Sequence, residues 1–329
     1  MRKRTIDLQF EKPLLDVVSY GRAHRPLTQA QRTFVARTVR RVPEVVVKVS
    51  GGARTLGGVQ AHLAYIGRDG VLGVELEDGT RLAGEDFQKA IVLDWDLDMD
   101  VHGQPNARSL RGRREPSKLV HNIIFSMPPG TPPDKLVKAV RGLIANEFAL
   151  KHRYAFTLHT DEPHPHVHLV VRAVSERGQR LNIRKATLRH WRQLFATHLR
   201  EQGVAANATE RAVRGQSRIA GSDGFFRATQ RNALMHGGQR HRQRADKPKE
   251  MAAQKVSGRA VLERTRAEVL AGWRGVARLL HDAGDFALAE EVIAFARQMP
   301  AVRLQQELVS GGVSSKRRDP AIESLDRTR

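Results

Sequence analysis

Short apolar runs separated by polar turns dominate the first two hundred residues. Val45–Val49 is β-branched and reads as a strand. Leu119 to Ser126 reads as a second, and Tyr154–Leu158 and Val167–Val171 alternate as a pair around an Asp161-Glu162-Pro163 turn. Val71 to Leu82 forms a hairpin around Asp78-Gly79. Helical spacing takes over in Thr28–Val39, Val59–Ile66, Glu85–Leu93, Pro132–Leu150 and Lys185–Gln202. Strands and helices so interleaved predict an α/β (α+β) core. Beyond Gly203 the pattern fades into Arg, Gln, Gly and Ala. It returns as helical spacing in Leu262, Val269, Leu270, Trp273, Val276 and Leu280, and again over Phe286–Phe295 after a Gly284-Asp285 break. The organisation expected is a basic N-terminal extension (1–43), a core domain (44–203), a basic linker (204–255), a helical hairpin (256–310) and a disordered tail (311–329). The extension reads equally well as a solvated arm.

Charge narrows the partners. The 329 residues carry 56 Lys+Arg against 35 Asp+Glu, a formal charge of +21, which calls for a polyanion such as nucleic acid or an anionic surface. No run resembles a membrane span or a signal sequence, so a soluble, cytoplasmic chain without membrane insertion is expected. Cysteine is absent, which excludes a zinc finger.

Four histidines and two carboxylates fall between His159 and His168. Residues two apart on a strand share a face, so His166 and His168 point together, and His159 at the end of the neighbouring strand can face them. Three neutral imidazoles with open positions form the donor set of a catalytic divalent site. Asp161 is placed to accept the second ring N–H of a ligand histidine. The prolines between the strands, and the absence of a helical His-Glu-x-x-His, exclude the metalloprotease arrangement. The glycines of Ser50–Gly58 lack the Lys-Ser/Thr ending of a P-loop, and Asp94, Asp96, Asp98 and Asp100 lack the Gly and Glu of an EF-hand loop, so the aspartates read as a solvated loop. Tyr65 sits on the helix after the first strand; by spacing alone it reads as a packed tyrosine as readily as a nucleophile.

Three segments, in order, resemble the motifs of conjugative relaxases of the mobilisation-P type, the branch that includes T-DNA border nickases. They are Val45–Gly70 with Gln60-Ala-His-Leu-Ala-Tyr65-Ile-Gly-Arg68, His121–Thr131 with its strand ending in Ser126, and His159-Thr-Asp161-Glu-Pro-His164-Pro-His166-Val-His168. The resemblance covers roughly residues 44 to 202 and implies an antiparallel, palm-like sheet with helices on one face. It implies Tyr65 as the nucleophile that becomes joined to a 5′ phosphate, and His159, His166 and His168 as ligands of a divalent ion, Mg²⁺ or Mn²⁺ with Zn²⁺ as the alternative. Asp161 would orient a ligand histidine or help deprotonate Tyr65, His164 would stand behind the ligands, and Ser126 would contact DNA near the nick. Arg54, Arg68 and the basic-loop residues Arg108, Arg111, Arg113 and Arg114 are the expected DNA contacts. The implied activity is site- and strand-specific nicking at an origin of transfer, single-stranded at the nick, with relaxosome accessory proteins and a coupling protein as partners. The alternatives are a non-catalytic DNA-binding accessory protein with this fold, or a replication or transposition nuclease sharing the histidine motif. The family usually carries its tyrosine close to the N-terminus, whereas about forty residues precede the first strand here.

Overall fold

The computed structural model describes residues 16–20, 25–97, 117–216 and 248–302. The basic loop carrying Arg108, Arg111, Arg113 and Arg114, the end of the acidic loop, most of the linker and the tail lie outside the described residues. The chain divides into two compact units, one holding Arg40–Ala208 and the other Leu15–Val39 with Thr209–Arg329. In chain order the elements are α1 (Val17–Tyr20), α2 (Gln29–Val39), β1 (Val46–Gly51), α3 (Leu56–Ile66), β2 (Val74–Leu76), β3 (Arg81–Leu82) and α4 (Phe87–Asp94). Then follow β4 (Val120–Ser126), α5 (Pro133–Glu147), β5 (Tyr154–His159), β6 (His166–Arg172), α6 (Lys185–Glu201), a 3₁₀ turn (Ala212–Arg214), α7 (Pro248–Asp282) and α8 (Phe286–Arg297).

The first unit is built on a six-stranded sheet in the order β1-β4-β6-β5-β2-β3, with every neighbouring pair antiparallel. The alternation read in the sequence sends Val47, Ile123, Phe125, Val167, Leu169 and Phe156 to one face. There α5 and α6 cover them with Leu136, Val140, Leu143, Trp191, Phe195 and Leu199. Glu147, at the end of α5, accepts hydrogen bonds from His190 Nε2 and Trp191 Nε1 of α6, both at 2.9 Å, and so ties the two helices together.

The opposite face is mixed, and its cover follows its chemistry. At one end Val120, Ala155, Val170 and Leu76 are apolar, and α3 and α4 close over them with Val59, Leu63, Ile66, Phe87 and Ile91. Helices therefore lie on both faces, and the expected one-sided layer describes only α5 and α6. At the other end the same face carries histidines, Ser126 and Lys48, which need no apolar cover.

Thr55 caps α3, its hydroxyl accepting from the Gly58 N–H at 3.2 Å. The helix ends in a turn in which Arg68, Asp69 and Gly70 all have positive φ, 51°, 53° and 91°. Gly70 is needed there for a second reason: a Cβ would lie 2.2 Å from the Gly84 carbonyl oxygen, which leaves no room for a side chain.

The second unit is helical. Val17, Leu27, Val35 and Val39 from the N-terminal segment share a core with Val269, Trp273, Val276, Leu280, Val292 and Phe295. The helical hairpin read from the sequence corresponds to α7 and α8, with α7 beginning at Pro248. Trp273 Nε1 donates to the Val213 carbonyl at 2.9 Å. Among the described residues no helix is long and apolar enough to cross a membrane.

Candidate functional site

Strand register assembles the centre of the site. His159 of β5 pairs directly with His166 of β6, and His168 lies two residues further along β6 on the same face. The ring centroids are 5.2 Å (His159–His166), 4.5 Å (His159–His168) and 5.0 Å (His166–His168) apart. One ring nitrogen from each lies within 4.8 Å of the others, a group able to hold a metal ion.

Backbone carbonyls fix which nitrogens those are. His159 Nε2 lies 2.7 Å from the Ile66 carbonyl oxygen. A carbonyl only accepts, so Nε2 carries the proton and Nδ1 keeps its lone pair. His166 Nδ1 likewise donates to the His164 carbonyl at 3.0 Å and leaves its Nε2 as the ligand atom. Ile66 is the last residue of α3, where the carbonyl end of the helix favours partial positive charge on the imidazole. Burial keeps the His168 and His159 rings neutral. It pushes the His168 pKa down to about 3, helped by the positive charges that His159 and His166 would carry. Burial also lowers that of His159, against the opposing hydrogen bond to Ile66. Neutral imidazoles with assigned tautomers fit a divalent ion.

Tyr65 stands one residue before Ile66, on the last turn of α3. It is 54% exposed, although it lies on a helix otherwise packed through Val59, Leu63 and Ile66. Its ring meets His168 edge-on at 5.8 Å, places His62 nearly parallel at 6.1 Å, and has the Arg68 guanidinium carbon 5.6 Å from its centroid. The helix thus brings a phenol over the histidines and fixes one of those histidines through the next carbonyl along the chain.

Asp161 occupies a different position from the one its spacing implied. Its carboxylate forms an ion pair with Arg68, whose Nη2 also lies 3.4 Å from His159 Nδ1. The ring N–H that Asp161 was placed to accept goes to Ile66. The slight burial of Asp161 raises its pKa, but its own backbone N–H and the Arg68 guanidinium outweigh this and hold it below the usual carboxylate range, which makes it a poor base. Ser126 is paired with His166 across β4 and β6 and lies half-buried beside the histidines. Arg54 sits in the loop before α3, while Arg68 is part of the site.

The sequence reading passed over His62 and the Ile66 carbonyl. His62 precedes Tyr65 by three residues, a spacing that puts both on one side of a helix. Its Nε2 is buried without a hydrogen-bond partner, and burial pushes its pKa down to about 4. The role of Ile66 is carried by the main chain, which leaves no mark on residue type.

The turn that holds this geometry leans on Phe87. A Cβ at Gly67 would lie 2.5 Å from Phe87 Cζ, and that ring is itself buried. Gly67→Ala is therefore expected to destabilise the domain by about 1–3 kcal/mol. It is also expected to weaken divalent-ion binding, because the turn carries the Ile66 carbonyl and Arg68. Urea unfolding and a Mn²⁺ titration of the variant would measure both, and adding Phe87→Leu should restore most of each. Full metal affinity in the single variant would uncouple the turn from the histidines.

The six-stranded antiparallel sheet with its helices is consistent with a relaxase fold. Residues 97–204 match the family model "Relaxase: MobA/VirD2-like, nuclease domain", a stretch that contains Ser126 and the three histidines but not Tyr65. The chain is also 27% identical over 190 residues to the T-DNA border endonuclease VirD2 of Rhizobium radiobacter, an alignment covering 49% of this chain and 43% of that protein. These two matches support assignment of the chain to the relaxase–nickase family. The chain spans less than half the length of that curated relative.

Proposed function

We propose that this protein nicks one strand of DNA by transesterification at an origin of transfer, with Tyr65 as the nucleophile, and so starts conjugative transfer or mobilisation. The observation that carries this reading is the placement of an exposed phenol against His168, on the helix whose last carbonyl holds His159. The similarity to VirD2, a T-DNA border endonuclease, supports the same chemistry.

In this reading Tyr65 Oη attacks the scissile phosphorus, a P–O(tyrosyl) bond forms and the P–O3′ bond breaks. The phenolic proton passes to solvent, which reaches the half-exposed tyrosine, and the departing 3′ oxygen takes up a proton to become a hydroxyl. His159, His166 and His168 would hold a divalent ion, Mg²⁺ or Mn²⁺, which when bound polarises a phosphate oxygen. Arg68, beside both the ring of Tyr65 and His159, places positive charge where the phosphorane becomes more negative. Asp161 acts through Arg68 by holding its guanidinium in place. Burial of His159 and His168 keeps those two rings neutral, so they bind the ion without first losing a proton.

The test is a denaturing gel of the full chain incubated with a supercoiled plasmid carrying the DNA beside its own gene, with Mg²⁺ or Mn²⁺ and with chelator as the control. The expected result is a nicked strand with protein on its 5′ end, absent under chelation and in His168→Ala. Salt-sensitive DNA binding with no nicking of a plasmid shown to contain the transfer origin would instead favour the non-catalytic accessory protein.

A further inference from the structure

The register arranges the site face as two rows running across four strands. Val46, Ser126, His166 and His159 form one row, and Lys48, Ile124, His168 and Thr157 form the next. One end of both rows is closed. His159 and Thr157 are buried, His159 bonded to the Ile66 carbonyl and the Thr157 hydroxyl to the Gly73 carbonyl at 3.1 Å. The other end is open: Val46 is 43% exposed, Lys48 is exposed, and Ile124 and Ser126 are half-buried. Among the described residues of this unit, the way across β4 and onto β1 is open to a polymer lying on the sheet face at Tyr65 and the histidines.

We propose that this β4–β1 strip is the track for the single strand flanking the scissile phosphate, with Lys48 contacting a backbone phosphate and Val46 and Ile124 supporting a base. The assignment rests on the nuclease reading above and adds the substrate's path to it. Neighbouring strands lie about 4.8 Å apart, so β1 is roughly 10 Å from β6, which places Lys48 beside an adjacent nucleotide rather than the scissile one. The lysine supplies charge complementary to phosphate next to aliphatic surface, which suits an unpaired base or a thymine methyl. Ser126 lies between this strip and the histidines, in the row that begins at Val46.

The experiment is equilibrium binding of a fluorescent oligothymidine to the full chain, without divalent ion to prevent turnover, over a series of salt concentrations. Lys48→Ala is expected to weaken binding about five- to tenfold and to reduce the slope of log affinity against log salt by about 0.7, the share of one phosphate contact on a single strand. Lys48→Arg should retain both. Val46→Glu should weaken binding at least tenfold, and Lys89→Ala, on α4 away from the strip, should change neither affinity nor slope. A wild type that nicks and binds oligothymidine while Lys48→Ala keeps its affinity and salt slope overturns the track and leaves the nuclease reading standing. A wild type that neither nicks nor binds single strands removes both.

Discussion

Phenylalanine at position 65 is expected to abolish the DNA–protein adduct and to reduce nicking on the order of 10⁴-fold or more. The substitution removes one oxygen and leaves the ring that meets His168, His62 and Arg68. Tyr65 is mostly exposed, so stability should change by no more than about 0.5 kcal/mol. Affinity for single strands and for Mn²⁺ should stay within a few-fold of wild type, since neither the β4–β1 strip nor the histidine nitrogens are touched. A denaturing gel of the reacted protein reads the adduct directly. Tyr154 is the natural control, because it lies buried in the core on the opposite face of the sheet, and Tyr154→Phe should keep the adduct. An adduct that survives Tyr65→Phe would show that another residue attacks. Nicking without an adduct would show that water does.

Acidification is expected to destabilise the metal-free sheet domain steeply between about pH 6.5 and pH 4. His62 and His121 are pushed down to about 4, both by burial first, and for His121 also by the charges of Lys118 and Arg180. His168 is lower still, at about 3. A histidine whose folded pKa lies below its unfolded value of about 6.5 binds fewer protons folded than unfolded, so stability falls as pH drops through that interval and levels off only below the folded pKa. At pH 5 each contributes a loss of up to about 2 kcal/mol, and above pH 7 none does. Amide exchange of β4 and β6 peptides in the full chain, compared at pH 7 and pH 5 after correction for intrinsic rates, would report it. Saturating divalent ion should blunt the loss by holding His168 neutral, and His121→Phe should reduce it without affecting the metal. Equal protection at both pH values would mean that these rings take up protons in the folded state.

Much of the fold was legible because the strands are β-branched and alternate cleanly. Val45–Val49, Leu119 to Ser126 and the histidine pair appear as β1, β4, β5 and β6 within two residues at each end. The helices before and after them were read from spacing in the same way. Period-two alternation also brought His159, His166 and His168 together, since a strand pair allows one arrangement of residues two apart. Asp161 shows where that logic stopped. Proximity to His159 along the chain suggested a partner, yet Arg68, distant in sequence, takes the carboxylate, and a main-chain carbonyl takes the ring proton. The N-terminal segment shows the same limit. Its scattered arginines left a packed extension and a solvated arm equally open, while Val17, Leu27, Val35 and Val39 enter a core completed by α7 and α8.

The sequence by itself determined the element types, the three histidines on one face, the positive charge and the motifs that link the chain to relaxases. The first three follow from local periodicity and composition, and the last from resemblance along the chain. Only the tertiary structure decided which carbonyls orient the imidazoles, that Tyr65 lies exposed over His168, that Asp161 holds Arg68, and which end of the site face stays open. Those depend on strand order and on how α3 and α4 close over one end of the sheet. Contacts between residues 91 or 93 positions apart, such as His159 with Arg68 and with Ile66, leave no trace in the pattern of any single segment.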